Sequence, residues 1–99
     1  MAVIYTRQAL SSLREALELI KPKVSKEKLK EVRKKIFDKA DKLQDNPKLG
    51  QKEEYLAHLD KGHRRVIHSH YKIIYLVQKD RIIVTDIFDT RQDPEKMKS

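Results

Sequence analysis

Three short runs crowded with β-branched and aromatic residues follow one another between Arg64 and Phe88: Arg64-Arg65-Val66-Ile67-His68, Tyr71-Lys72-Ile73-Ile74-Tyr75-Leu76-Val77-Gln78 and Ile82-Ile83-Val84-Thr85-Asp86-Ile87-Phe88. Each has strand length and is bounded by polar, turn-forming residues, so the pattern predicts strands over 64–68, 71–78 and 82–88. The breaks are too short for crossover connections, and Gln78-Lys79-Asp80-Arg81 reads as a hairpin turn. The three strands must therefore form an antiparallel meander. Such a meander buries little by itself, and the first half of the chain has to supply the layer that covers it.

That half is helical by its spacing. Ala9, Leu10, Leu13, Ala16, Leu17 and Ile20 form one stripe behind Thr6, a residue suited to cap a helix, and Pro22 stops the pattern. A second stripe, Leu29, Val32, Ile36, Ala40 and Leu43, starts behind Ser25 and is expected to run until Asn46-Pro47. Its other surface carries Lys26, Lys28, Lys30, Arg33, Lys34, Lys35, Lys39 and Lys42. The predicted fold is α+β: an N-terminal strand at Ala2–Tyr5 and an antiparallel two-helix hairpin packed on a mainly antiparallel four-stranded sheet, in one domain spanning 1–99. Pro47 to Lys61 is expected to be an ordered connector anchored by Tyr55, Leu56 and Leu59.

Composition excludes several classes of function. There is no cysteine, which removes disulfides and thiolate metal sites. No apolar run approaches the roughly 18–20 residues of a membrane span, and the opening Met1 to Arg7 lacks the layout of an export signal, so a cytoplasmic protein without membrane contact is expected. His68 and His70 have no third ligand at recognisable spacing, and no glycine-rich phosphate loop is present. No metal, cofactor or small-molecule substrate is expected. With 23 Lys and Arg against 15 Asp and Glu, the net charge of +8 favours an acidic protein or a polyanion as partner.

Side-chain alternation along 71–78 adds a structural demand. Tyr71, Ile73, Tyr75 and Val77 share one face; Lys72, Ile74, Leu76 and Gln78 share the other. The alternation continued through 82–88 sets Ile82, Val84, Asp86 and Phe88 against Ile83, Thr85 and Ile87. Two helices cover only one face of a sheet, so Ile74 and Leu76 need cover from the connector, from Asp93–Ser99 or from another chain. The preferred reading is a partner chain, with Asp93–Ser99 frayed unless that partner orders it.

The ordered set Asn46-Pro47-Lys48-Leu49-Gly50-Gln51, Gly62-His63-Arg64-Arg65, Tyr71-Lys72-Ile73-Ile74-Tyr75-Leu76-Val77 and Asp89-Thr90-Arg91-Gln92-Asp93-Pro94 resembles the RelE/ParE superfamily, the toxins of bacterial type II toxin–antitoxin (plasmid stabilisation) modules. The match spans nearly the full length and is closer to the ParE branch. The resemblance implies a growth-inhibiting toxin neutralised by an acidic antitoxin whose segment wraps over it. Ile74 and Leu76 on the sheet, with Lys28, Lys35 and Lys39 on the second helix, would suit such a segment.

In the RelE-like branch the resemblance implies metal-independent cleavage of ribosome-bound messenger RNA, with cations stabilising the pentacovalent phosphate and proton transfer by a ring side chain. Arg65, Lys72 and Arg91 match the family's basic positions, and His63, His68 and His70 are the histidines available for proton transfer, His68 and His70 flanking a tight turn. Lys72 stands where arginine is usual, which keeps the charge and loses the planar fork. RNA-cleaving members carry a tyrosine or histidine near the end of the chain, whereas this one continues Gln92-Asp93-Pro94-Glu95-Lys96-Met97-Lys98-Ser99. The expectation is therefore a ParE-like toxin that binds DNA gyrase and carries out no chemistry. The alternatives are a RelE-like ribosome-dependent endoribonuclease and a basic nucleic-acid-binding domain.

Overall fold

The computed structural model describes residues 1–99. In chain order it contains β1 (Ala2–Tyr5), α1 (Arg7–Ile20), α2 (Lys26–Asp41), β2 (Gln51–Lys52), β3 (Arg64–His68), β4 (Tyr71–Gln78) and β5 (Arg81–Asp89). The Thr6 hydroxyl accepts from the Ala9 N–H at 3.1 Å, and the Ser25 hydroxyl accepts likewise from Lys28, so both helices start on the capping residues the sequence offered. α2 ends at Asp41, short of Asn46-Pro47, and a tight turn over Lys42–Gln44 follows it. Leu43 still enters the core from that turn.

The sheet has five strands, one more than the alternation predicted, in the order β1-β5-β4-β3-β2. The fifth is β2, whose Gln51 and Lys52 pair with Arg65 and Arg64. Two polar residues carry no strand signature. β1 runs parallel to β5 and the remaining pairs are antiparallel.

Gly50 fixes β2 in place. A side chain there would collide with the Arg65 carbonyl and with the Tyr75 hydroxyl, 2.7 Å away. The Gly50 N–H donates to the Tyr75 hydroxyl at 3.0 Å, and that hydroxyl donates to the Pro47 carbonyl at 2.8 Å. Arg64 Nη1 donates to the Gly50 carbonyl at 2.7 Å. Burial raises the Tyr75 pKa, against the opposing pull of the Gly50 N–H and Arg64, so the phenol stays protonated and can serve both bonds.

Both helices pack on one face, where Ala9, Leu13 and Ala16 of α1 and Ile36 and Ala40 of α2 meet Val66, Tyr71, Ile73, Tyr75, Ile82, Val84 and Ile87. Ile87 belongs there because β5 carries an extra residue. Ile74 pairs with Asp86 but Tyr75 pairs with Val84, leaving Thr85 as the additional residue of a β-bulge. The simple alternation over 82–88 fails at that point: Ile87 joins Ile82 and Val84, while Asp86 and Phe88 lie on the face of Ile74.

That second face is closed by the chain itself, contrary to the reading that left Ile74 and Leu76 for a partner. Ile74 is fully buried in a separate cluster with Phe88, with Leu56 from the connector turn Glu54–Leu59, and with Met97. Leu76 is also buried. Asp93–Ser99 is ordered rather than frayed. The Asp93 carboxylate caps a turn at Pro94–Lys96, and the Lys98 N–H donates to Asp86 Oδ2 at 2.9 Å. Buried Asp86 supplies this anchor through one oxygen while its other accepts from the Ile87 N–H at 3.0 Å, which satisfies a carboxylate set in an apolar strand. Of the expected connector anchors only Leu56 is buried, whereas Tyr55 and Leu59 are exposed.

Candidate functional site

The cations at the basic positions are held by carboxylates that the sequence did not single out. Glu53 has no exposed side-chain surface. Its Oε1 takes Lys72 Nζ at 2.9 Å and faces Arg65 Nη1 at 3.7 Å, while Oε2 accepts from the Tyr55 N–H at 3.1 Å. Arg65 is further tied through Nη1 to the Lys52 carbonyl and through Nη2 to Gln51 Oε1 at 3.3 Å. Lys72 also lies over the Tyr55 ring, 5.8 Å from its centroid.

Arg91 forms a forked pair with buried Asp89. Its Nε donates to Oδ1 at 3.0 Å and its Nη2 to Oδ2 at 2.8 Å, and the Arg91 N–H adds a third bond at 2.9 Å. The guanidinium bond holds the Asp89 carboxyl below the usual carboxylate range despite burial.

The ladder divides the candidates between two faces. Arg65 pairs with Ile74, so Arg65 and Lys72 belong to the second face. His68 and Asp89 are both register partners of Tyr71, on the helix face. His70 is exposed in the Ser69-His70 turn. Arg65 and Lys72 are thus brought together, whereas His68, His70 and the Arg91 pair are set apart from them.

Lys28, Lys35 and Lys39 line the side of α2 that faces His68. Lys28 and Lys35 flank Glu31, at 3.5 and 2.8 Å. Burial, then the charges of Lys35, Lys39 and Lys28, press the His68 pKa down. Two adjoining clefts follow this line. One of about 200 Å³ lies between Lys28, Lys35, His68 and Ser69, and one of about 300 Å³ lies between Lys39, Leu49, Gly50 and the β3 residues Arg65–Ile67.

Sequence reasoning missed Glu53, Asp86 and Asp89. Asp86 and Asp89 carried a signal, since a carboxylate within or at the end of an apolar strand must find donors. Glu53 carried none, standing beside Glu54 in a connector.

The profile of the ParE toxin of type II toxin–antitoxin systems (parDE) matches residues 3–94. The chain belongs to this family. It is a type II toxin of the ParE type, and membership implies an antitoxin partner. The fold agrees with a solved structure described as "Chromosomal ParDE TA system from P. aeruginosa", with a TM-score of 0.71 and 17% identity over 88% of this chain and 92% of that one. At that identity the likeness concerns the fold. Among curated protein sequences none matches. No helix of this ParE-type toxin is long and apolar enough to cross a membrane.

Proposed function

We propose that this ParE-type toxin acts in the cytoplasm, arresting growth by binding DNA gyrase rather than by cleaving RNA. The observation that supports binding over cleavage is the pairing of Arg65 and Lys72 with buried Glu53, and of Arg91 with buried Asp89. A site that stabilises a pentacovalent phosphate needs cations aimed at the phosphate, beside a group that moves a proton. Here each of those cations is engaged by a carboxylate within the protein, Arg65 and Lys72 sharing Glu53, and His68 is on the opposite face from Lys72. Gyrase as target follows from the resemblance to the ParE branch, and the net charge of +8 suits an acidic partner surface.

The test sets two assays side by side on purified full-length protein: supercoiling by gyrase, and messenger cleavage in a translation mixture. Inhibited supercoiling with intact messenger is expected, together with growth arrest on regulated expression that the antitoxin relieves. Cleaved messenger with unimpaired supercoiling, cleavage being lost on Arg65→Ala, would overturn the reading in favour of a ribonuclease.

A further inference from the structure

The two outer edges of the sheet differ. At one, β2 contributes two exposed polar residues, Gln51 and Lys52, a length and a composition that discourage strand addition. At the other, β1 is Ala2-Val3-Ile4-Tyr5, a run with no charge, proline or bulge. Its pairing with β5 decides which groups face outward. The Thr6 N–H donates to the Val84 carbonyl at 3.1 Å, and in a parallel ladder alternate residues turn both backbone groups to the same neighbour. Ile4 therefore bonds β5 as Thr6 does, and the N–H and C=O of Val3 and Tyr5 point away from the sheet. No backbone bond of a turn or loop reaches them.

Ile4 is 39% exposed at the end of an apolar row on the second face, in which Leu76 stands beside Ile83 and Ile83 beside Ile4. The two ends of β1 carry opposite charges. Past its C-terminal end stands exposed Arg7. At its N-terminal end the Met1 amino group donates to the Gln44 carbonyl at 3.5 Å, which places the Lys42–Gln44 turn there. Exposed Asp41 and Asp45 flank that turn, with Lys42 between them. Neither carboxylate nor Arg7 has an ion-pair partner within the chain.

We infer that β1 is a self-association edge, to which β1 of a second copy adds antiparallel about a two-fold axis through Ile4. Val3 then pairs with Tyr5 of the second copy, and Tyr5 with its Val3. Each pair exchanges two N–H···O=C bonds, so every outward group of both strands is satisfied. The two Ile4 side chains meet at the axis as the close, non-hydrogen-bonded pair and continue the apolar row from one copy into the other. The same register carries Arg7 of each copy to Met1 of the other, beside the two carboxylates that flank its turn. The edge is thus complementary to itself in hydrogen bonds, apolar contact and charge, in a chain whose net charge of +8 otherwise keeps copies apart. Self-association of this kind is independent of the toxin's target.

Sedimentation velocity and amide hydrogen exchange on the full chain, each over a range of protein concentration, test this. A dimer that grows with concentration is expected, and in it the Val3 and Tyr5 amides should exchange about tenfold more slowly than in dilute protein. Arg7→Glu should weaken dimerisation at least about tenfold; it sets an acid at a helix start, so the thermal midpoint of the monomer should hold. Adding Asp41→Lys and Asp45→Lys to it should restore the dimer. Val3→Pro, which removes an outward donor at an edge position, should weaken the dimer as well. A protein that stays monomeric up to about 1 mM overturns the inference. So does a dimer in which Val3 and Tyr5 exchange as fast as in the monomer, or one that Arg7→Glu leaves unchanged. Protection of these two amides only when another protein is added would assign the edge to a foreign strand, and overturns it too.

Discussion

Lys72 Nζ lies 2.9 Å from Glu53 Oε1, and the carboxylate it meets has no exposed surface of its own. Removing the negative charge leaves two cations facing a neutral group in a site largely closed to water. Glu53→Gln should destabilise the fold by about 2–3 kcal/mol, read as a lower denaturant midpoint at unchanged slope. It should also release Arg65 and Lys72, raising affinity for single-stranded RNA with a steeper salt dependence. Unchanged RNA binding would show that Glu53 does not mask these charges.

The contact of Gly50 with the Arg65 carbonyl and the Tyr75 hydroxyl makes position 50 intolerant of even a methyl group. Gly50→Ala should cost about 1–3 kcal/mol by pushing the loop off β3. Tyr75→Phe, which leaves the Gly50 N–H and the Pro47 carbonyl without partners, should cost about 1–3 kcal/mol. Since both act on one loop, the double variant should lose less than the two separate losses added together, a double-mutant cycle being the measurement.

The Tyr5 hydroxyl is buried without a hydrogen-bond partner, and burial followed by the Asp41 charge pushes its pKa to about 12. A folded pKa above the unfolded value of about 10 means that stability is fully present below pH ~10 and is lost as pH rises from there toward 12. Tyr5→Phe should be neutral or slightly stabilising at pH 7 and should remove this alkaline loss. Denaturant titrations at pH 8 and above will read it.

Asp89 has the opposite linkage. Its carboxyl is held low by Arg91, so the stability it contributes is present above about pH 4 and disappears as pH falls through the folded pKa. Asp89→Asn should lower stability at neutral pH and flatten the acid limb of the stability profile. Equal acid slopes in the two proteins would count against the pair as a stabilising element.

Met97 covers Ile74 and Phe88 at only 8% exposure. Met97→Ala should cost about 2 kcal/mol, the low end for a buried methionine, because the cluster is small and lies at the surface. Increased binding of a hydrophobic dye is the accompanying sign.

What the sequence made legible follows from the range of the signals. Helix stripes, caps and strand runs are local patterns, and β3 and β4 lie where the runs place them. The order of elements that resembles the superfamily survives in the fold, with membership shown by the match over 3–94. Partners far apart in the chain left no local trace. Glu53 meets Lys72 across 19 residues, and Met97 reaches Ile74 from a segment that reads as a charged tail. Arg65 and Lys72 were legible as basic positions, but what neutralises them was not. The alternation over 82–88 failed for a different reason, since one extra residue inverts the pattern without altering composition.

The bulge at Thr85 makes β5 two half-strands governed by opposite facing rules, much as a single inserted nucleotide divides a message into two reading frames. Residues 82 and 84 answer to the helices, and so does 87, while 86 and 88 answer to the connector and the closing segment. Deleting Thr85 would merge the two frames into one and leave Asp86, Ile87 and Phe88 on the faces they now occupy. Any scheme for varying this sheet must therefore be written in two registers, changing at one residue.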